Sequence, residues 1–432
     1  MVLSIVNSRA PCSLQTLQTL VCDGISCLPQ SGLVSSGARS RPWSNTNGSH
    51  ALQLNRGIRK AFSSTPARQL DPKSSNISYR VAASSSGKGR RFNPLQNHYN
   101  FDASKHDSIG VSHDKNIATR RQDRPDSGED AFFVSRIGKD PAPNYVAFAV
   151  ADGVGGWNES RVDPADFSHG ICSYMAHSAL TWDKPSDKLR PMQLLREGYD
   201  RLCNDPSVRA GGSTASVGVG LPGGHVELAN LGDSGSVLFR LAAVHHYSTP
   251  QTHAFNTPYQ LSKIPPRMRA QSNIFGGGCL EDFPEDAAIS NLQMQHGDVL
   301  ILATDGVFDN LNNQDLLKIV SSRMIVTGAW SVTSEYAVHT SNSLGALTAP
   351  GGIIATPTQD SSSDSSSESM TLQAVLAASI ASEAKIASVN TRRDGPFAKE
   401  AQRYLPGDYY RGGKVDDICV LAVVAVDESL TA

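Results

Sequence analysis

Apolar residues along this chain form two kinds of pattern: short unbroken runs, and positions spaced three or four apart. The run at 145–151, Y-V-A-F-A-V-A, is too short for a buried helix and rich in β-branched and aromatic residues. It predicts a strand buried on both faces. It delivers Asp152 to a glycine-rich turn, Gly153-Val154-Gly155-Gly156. A second run at 299–303 ends in Thr304-Asp305-Gly306, with Asp309 one helical turn further on, and a third at 418–425 directly follows Asp416-Asp417. Shorter strands are predicted at 131–134, opened by Glu129-Asp130, and at 235–241. The segments 212–220 and 225–230, joined by Leu221-Pro222-Gly223-Gly224, predict a β-hairpin.

Helical spacing follows elsewhere. Asp163-Pro164 is a capping pair, after which Phe167, Ile171, Tyr174, Met175 and Ala179 share one face. Residues 191–202 turn Leu194, Leu195, Tyr199 and Leu202 inward, and 312–320 and 371–389 predict further helices. These faces read as core. Residues 63–108 show no sustained period and are expected to be a disordered linker, so the folded domain is expected over 109–428. Within it, 340–370 closes on an Asp- and Ser-rich repeat and is expected to be a disordered insertion.

Composition changes the picture at the N-terminus. The net charge of −2 hides an asymmetry: residues 1–100 hold 12 of the 39 Lys and Arg but two of the 41 acids, leaving −12 on the remainder. That balance excludes a nucleic-acid role for the folded part. A basic, serine-rich, acid-poor start predicts a mitochondrial transit peptide over 1–62, with Arg59-Lys60-Ala61-Phe62-Ser63-Ser64 resembling a processing site; a basic tail without an address is the alternative. No apolar run is long enough to span a membrane. The seven cysteines are scattered without C-x-x-C pairs, which argues against a disulfide framework and structural zinc.

Taken alone, Asp152 is equally well read as an acid holding a turn through backbone bonds. Three buried runs that each carry acid at one end, with no Cys or His beside them, decide for an all-oxygen site that takes magnesium or manganese. Asp233 is another acid at a strand end. Its surroundings, Gly232-Asp233-Ser234-Gly235, look like the loop of a trypsin-like nucleophile, but the histidine context of that protease is missing. Gly218-x-Gly220-x-x-Gly223 matches a dinucleotide pattern but leads into a turn with no helix. His245, His246 and His253 are read as a solvated loop.

In order, Glu129-Asp130, Asp152-Gly153 with Gly155-Gly156, Gly212-Ser213-Thr214-Ala215, Asn230-x-Gly232-Asp233-Ser234, Ala303-Thr304-Asp305-Gly306 with Asp309, and Asp416-Asp417 resemble the metal-dependent protein phosphatases, the type 2C serine/threonine family. Asp152 to Trp157, His253 to Leu261 and Arg411 to Asp417 resemble its mitochondrial branch. The resemblance implies an α+β fold, a central sandwich of two antiparallel β-sheets flanked by pairs of antiparallel helices (four layers, αββα). It implies that Asp152, the Gly153 carbonyl, Asp305 and Asp416 hold two Mn²⁺ or Mg²⁺ ions, that Glu129 and Asp130 hold their waters, and that Asp233 and Asp309 support a third, weaker ion. Two ions roughly 4 Å apart would acidify a bridging water for in-line attack on a phosphoserine or phosphothreonine. The expected enzyme is a monomer acting on phosphoproteins of the mitochondrial matrix; a catalytically dead phosphopeptide-binding module is the alternative. Two departures stand out. Val154 occupies the place where many relatives carry an acid histidine, and Arg124, Arg120 and Arg121 all compete for the phosphate-binding role.

Overall fold

The computed structural model describes residues 76–430 except 115, 140–143, 276–279, 335–336, 355–368 and 408, all in the compact unit Ser74–Ala432. Two six-stranded sheets are built from β1 (Ile77–Ser86), β2 (His98–Phe101), β3 (Ser108–Ile109), β4 (Asp130–Arg136), β5 (Val146–Asp152), β6 (Ala215–Gly220), β7 (His225–Leu231), β8 (Gly235–Arg240), β9 (Ala243–Tyr247), β10 (Ala288–Gln293), β11 (Val299–Ala303) and β12 (Ile418–Asp427). Their orders are β9-β8-β11-β12-β1-β2 and β10-β7-β6-β5-β4-β3. Every neighbouring pair is antiparallel. The helices that cover them are α1 (Ile117–Gln122), α2 (Pro164–Leu180), α3 (Pro191–Asn204), α4 (Asn313–Val326), α5 (Leu372–Ser388) and α6 (Pro396–Tyr404).

The unbroken apolar runs have a simple cause: each sheet is an inner layer, covered on both faces. Along β5, Val146, Phe148 and Val150 enter the core between the sheets, while Ala147, Ala149 and Ala151 meet α2 and α3. Along β12, Cys419, Leu421 and Val423 enter the same central core, while Val420, Ala422 and Val424 pack beneath α4 and α5. This is the expected αββα sandwich. The caps form as the sequence predicts: Asp163 accepts from the Ala165 amide with Pro164 opening α2, Asn312 caps α4, and Thr371 caps α5.

Two expectations need correction. The stretch read as linker contains β1, which pairs with β12 along its whole length, from Ile77↔Asp427 to Ser86↔Ile418. Its polar end misled the pattern, because Ser84, Ser85 and Ser86 are 0% exposed. Such small hydroxyls can be buried when bonded locally: Ser84 donates to the Asn97 carbonyl at 2.6 Å. Part of the stretch read as a disordered insertion is also packed. A one-turn helix, Leu344–Thr348, buries both of its end residues, and Ile353–Ile354 pairs with Ser369–Met370. The serine repeat at 355–368, the proposed transit peptide and the linker up to 75 lie outside the described residues. Among the described residues, no helix is long and apolar enough to cross a membrane.

Candidate active site

Strand ends from both sheets bring the expected acids to one place. Asp152 is the last residue of β5, and its backbone is tied to the Gly212-Ser213-Thr214 motif. Its carbonyl accepts from the Thr214 amide at 2.9 Å and the Ser213 hydroxyl at 2.8 Å, and its amide donates to the Thr214 hydroxyl at 3.1 Å. That hydroxyl lies 2.7 Å from the Ser234 hydroxyl, so the Asn230–Ser234 motif supports the same strand end. Glycine is required at 153, where a Cβ would stand 2.8 Å from the Glu129 carbonyl and 3.0 Å from that of Pro164.

The second sheet contributes Asp305, at the start of a one-turn helix, Asp305–Phe308. The preceding Thr304 is fully buried and links the layers. Its hydroxyl donates to Asp130 Oδ2 at 2.7 Å and accepts from the Cys419 amide at 3.0 Å. Gly306 is obligatory, since a Cβ there would lie 1.9 Å from the Asp417 carbonyl oxygen. Asp417 points its carboxylate at the backbone, accepting from the Glu129 amide at 2.8 Å and from the Lys88 amide. It therefore ties the Glu129 loop to the turn after β1. Asp416, its neighbour, faces the cleft.

These residues floor a cavity of about 970 Å³ lined by Glu129, Asp152, Gly153, Val154, Asp233, Asp305 and Asp416, with Arg121 and Arg124 at its rim. Burial, and then the charge of Asp305, holds the Asp152 carboxyl well above the usual carboxylate range. Burial followed by Asp417 does the same for Asp130. Burial and Asp305 push Asp233 up to about 7. Asp305 goes the other way: burial raises it, but Lys414 outweighs that and holds it low. The Lys414 ammonium lies 2.7 Å from Asp305 Oδ2, 2.6 Å from Asp309 Oδ2 and 3.1 Å from Asp416 Oδ2. Among the described residues, no three His, Cys, Asp or Glu side chains stand as a cluster ready for a metal ion.

The arginines separate cleanly. Arg120 turns out of the cleft, bonding Ser207 at 2.8 Å and pairing with Asp205 at 3.3 Å, which removes it as a phosphate ligand. Arg121 and Arg124 both face the cleft and both pair with Asp166. The histidines do not gather: His253 contacts Asp282 at 3.0 Å and stacks on Tyr259. Three functional candidates escaped the sequence. Lys88 and Arg90 line the cleft from a stretch read as linker, and Lys414 sits in a motif whose acids drew the attention.

The profile of the family described as protein phosphatase 2C matches residues 119–344. The chain is 34% identical over 306 residues to protein phosphatase PTC7 homolog fig of Drosophila virilis, spanning 70% of this chain and 80% of that one. It is 32% identical over 307 residues to the 5-azacytidine resistance protein azr1 of Schizosaccharomyces pombe, spanning 70% and 83%. It is 35% identical over 196 residues to protein phosphatase 2C homolog 7, mitochondrial, of Saccharomyces cerevisiae, spanning 45% and 56%. Among solved structures, the photosystem II phosphatase PBCP aligns with a TM-score of 0.47 at 22% identity, over 73% of this chain and 96% of that one. The chain belongs to the protein phosphatase 2C family and is a serine/threonine protein phosphatase.

Proposed function

We propose that this phosphatase depends on Mn²⁺ or Mg²⁺ and works with two ions, held by Asp152, the Gly153 carbonyl, Asp305 and Asp416. The observation that carries the reading is the convergence of buried carboxylates from both sheets on the floor of one cleft. The donor set fits: it is all oxygen, and the buried Asp130 Oδ1 and Asp233 Oδ1 have no hydrogen-bond partner among the described residues. When bound, the ions supply a water acidic enough to ionise near neutral pH and a positive field over the phosphoryl oxygens.

The chain's own residues do the rest. Thr304 fixes Asp130 toward the site, and the Asn158 amide holds the Glu129 carboxylate at 2.6 Å, so both acids can order water beside it. Arg124, half-buried, pairs with Asp166 and lines the cleft; with Arg121 it would orient the phosphate of a phosphoserine or phosphothreonine. Every acid of the family's pattern is present, so nothing favours a dead phosphopeptide-binding module. The basic N-terminus and the mitochondrial name of the yeast relative support action on mitochondrial, specifically matrix, phosphoproteins. The test is release of phosphate from a phosphoserine peptide with Mn²⁺, with Mg²⁺ and with chelator. Full activity in chelator would overturn the reading.

A further inference from the structure

Lys414 lines the cleft but has no part in the proposed chemistry, and its placement is built, not incidental. Asn310, itself 1% exposed, grips its backbone on both sides: the Lys414 amide donates to Asn310 Oδ1 and the Asn310 side-chain amide donates to the Lys414 carbonyl, each at 2.9 Å. The preceding residues leave no slack. Gly413 lies so close to α5 that a Cβ would stand 2.1 Å from the Ala387 carbonyl, and Gly412 holds φ at +87° with a Cβ position 2.7 Å from the Asn390 carbonyl. The ammonium passes 5.0 Å from the centre of the Phe397 ring and ends between Asp305 and Asp309, with Asp416 Oδ2 at 3.1 Å. The sequence reading gave Asp309, with Asp233, to a third ion.

We propose that Lys414 is a built-in cation that takes the place of a third ion between Asp305 and Asp309, so that the enzyme binds two ions and no more. This rests on the two-ion reading above. Two features favour a fixed occupant over a placeholder that leaves when metal arrives. The clamped backbone and the Phe397 ring direct the side chain toward the acids, and an ammonium and a divalent ion at one place exclude each other by volume and by charge. An ammonium also offers three N–H donors to the three carboxylates of Asp305, Asp309 and Asp416 and needs no water shell. The consequence is a site whose charge at Asp309 does not follow the free metal concentration.

The experiment counts Mn²⁺ bound per chain, by calorimetry and equilibrium dialysis, for the wild type, Lys414→Met and Asp309→Asn. The wild type is expected to saturate at two. Lys414→Met, of similar length but uncharged, is expected to gain a third ion at least tenfold weaker than the others, and Lys414→Met with Asp309→Asn is expected to return to two. Asp309→Asn alone is expected to stay at two, a result that needs no Lys414 variant to fold. A wild type that binds three ions, a folded Lys414→Met that binds two, or an Asp309→Asn that loses an ion overturns the proposal. A wild type that binds none overturns the two-ion reading itself, and the Lys414 assignment with it.

Discussion

Asp130 and Asp152 stand directly opposite each other, in register, across the adjacent strands β4 and β5. Like charges facing across a strand pair oppose folding, and both carboxyls here are buried. Asp152→Asn is therefore expected to raise the thermal midpoint of the metal-free protein by a few degrees while turnover falls about 10²-fold or more. Asp305→Ala should lose as much activity but differ in stability. It removes a partner of the half-buried Lys414 ammonium, at a cost of about 1–3 kcal/mol. Thermal melts in chelator beside turnover in Mn²⁺ would check the contrast, and parallel melting shifts would refute it.

The edges of the domain make a second prediction. A chain starting at residue 74 should fold and turn over phosphopeptide, whereas one starting at 87 deletes β1, strips β12 of a partner and opens the central core at Val81 and Ala83. Replacing 355–368 by a two-residue Asn-Gly turn should leave activity unchanged, because Ile354 and Ser369 are already cross-strand neighbours that such a turn can join. Extending that deletion back to 341 removes the fully buried Leu344 and should cost about 2–5 kcal/mol in denaturant titration. A chain from 87 that folds normally would remove β1 from the core.

His169 gives the pH dependence. It is 8% exposed on α2, and burial, then repulsion from Arg124, pushes it down to about 3. The unfolded chain, with an ordinary imidazole, binds the proton that the folded one refuses. Stability is thus full above about pH 6.5 and falls as pH drops, by about 2 kcal/mol between pH 7 and pH 5 from this group. The raised acids of the cleft act in the opposite sense in metal-free protein, so the informative quantity is the difference between wild type and His169→Gln. The variant should lose less stability between those two pH values; identical losses would rule His169 out.

Much of this architecture could be read from the chain alone, for a physical reason. A strand buried on both faces, such as β5 or β12, has to be apolar throughout, and the acids that break the pattern are conspicuous at its ends. Two things were hidden. The end of β1 is buried as small hydroxyl residues, of which Ser84 bonds the Asn97 carbonyl, so Ser84 to Ser86 carry no hydrophobic signal. The partners of Lys414 lie around Asp305 and Asp309, distant in sequence, so the motif Gly412-Gly413-Lys414 announces a close turn and not a cation site. Arg120 shows the converse. Its nearness in sequence to Arg124 suggested a shared role, but Arg120 lies on α1 and pairs with Asp205, whereas Arg124 lies beyond the helix end and pairs with Asp166.

Val154 bears on the leaving group. It faces the cleft, with its amide fixed to the Gly212 carbonyl at 3.0 Å, where an acid histidine would be expected. Expelling a serine alkoxide demands a proton, whereas an aryl phosphate departs with little help, and a positioned general acid is typically worth ~10²–10⁴-fold. Rates should therefore depend steeply on leaving-group pKa, with p-nitrophenyl phosphate turned over far faster than phosphoserine peptide. Val154→His should raise phosphoserine turnover and barely change the aryl substrate. Its place in the lining of the open cleft favours a folded variant. Mn²⁺ affinity of the variant is measured alongside, to separate proton transfer from a disturbed site. Equal response of both substrates in a variant that binds metal normally would mean that another group already protonates the leaving oxygen.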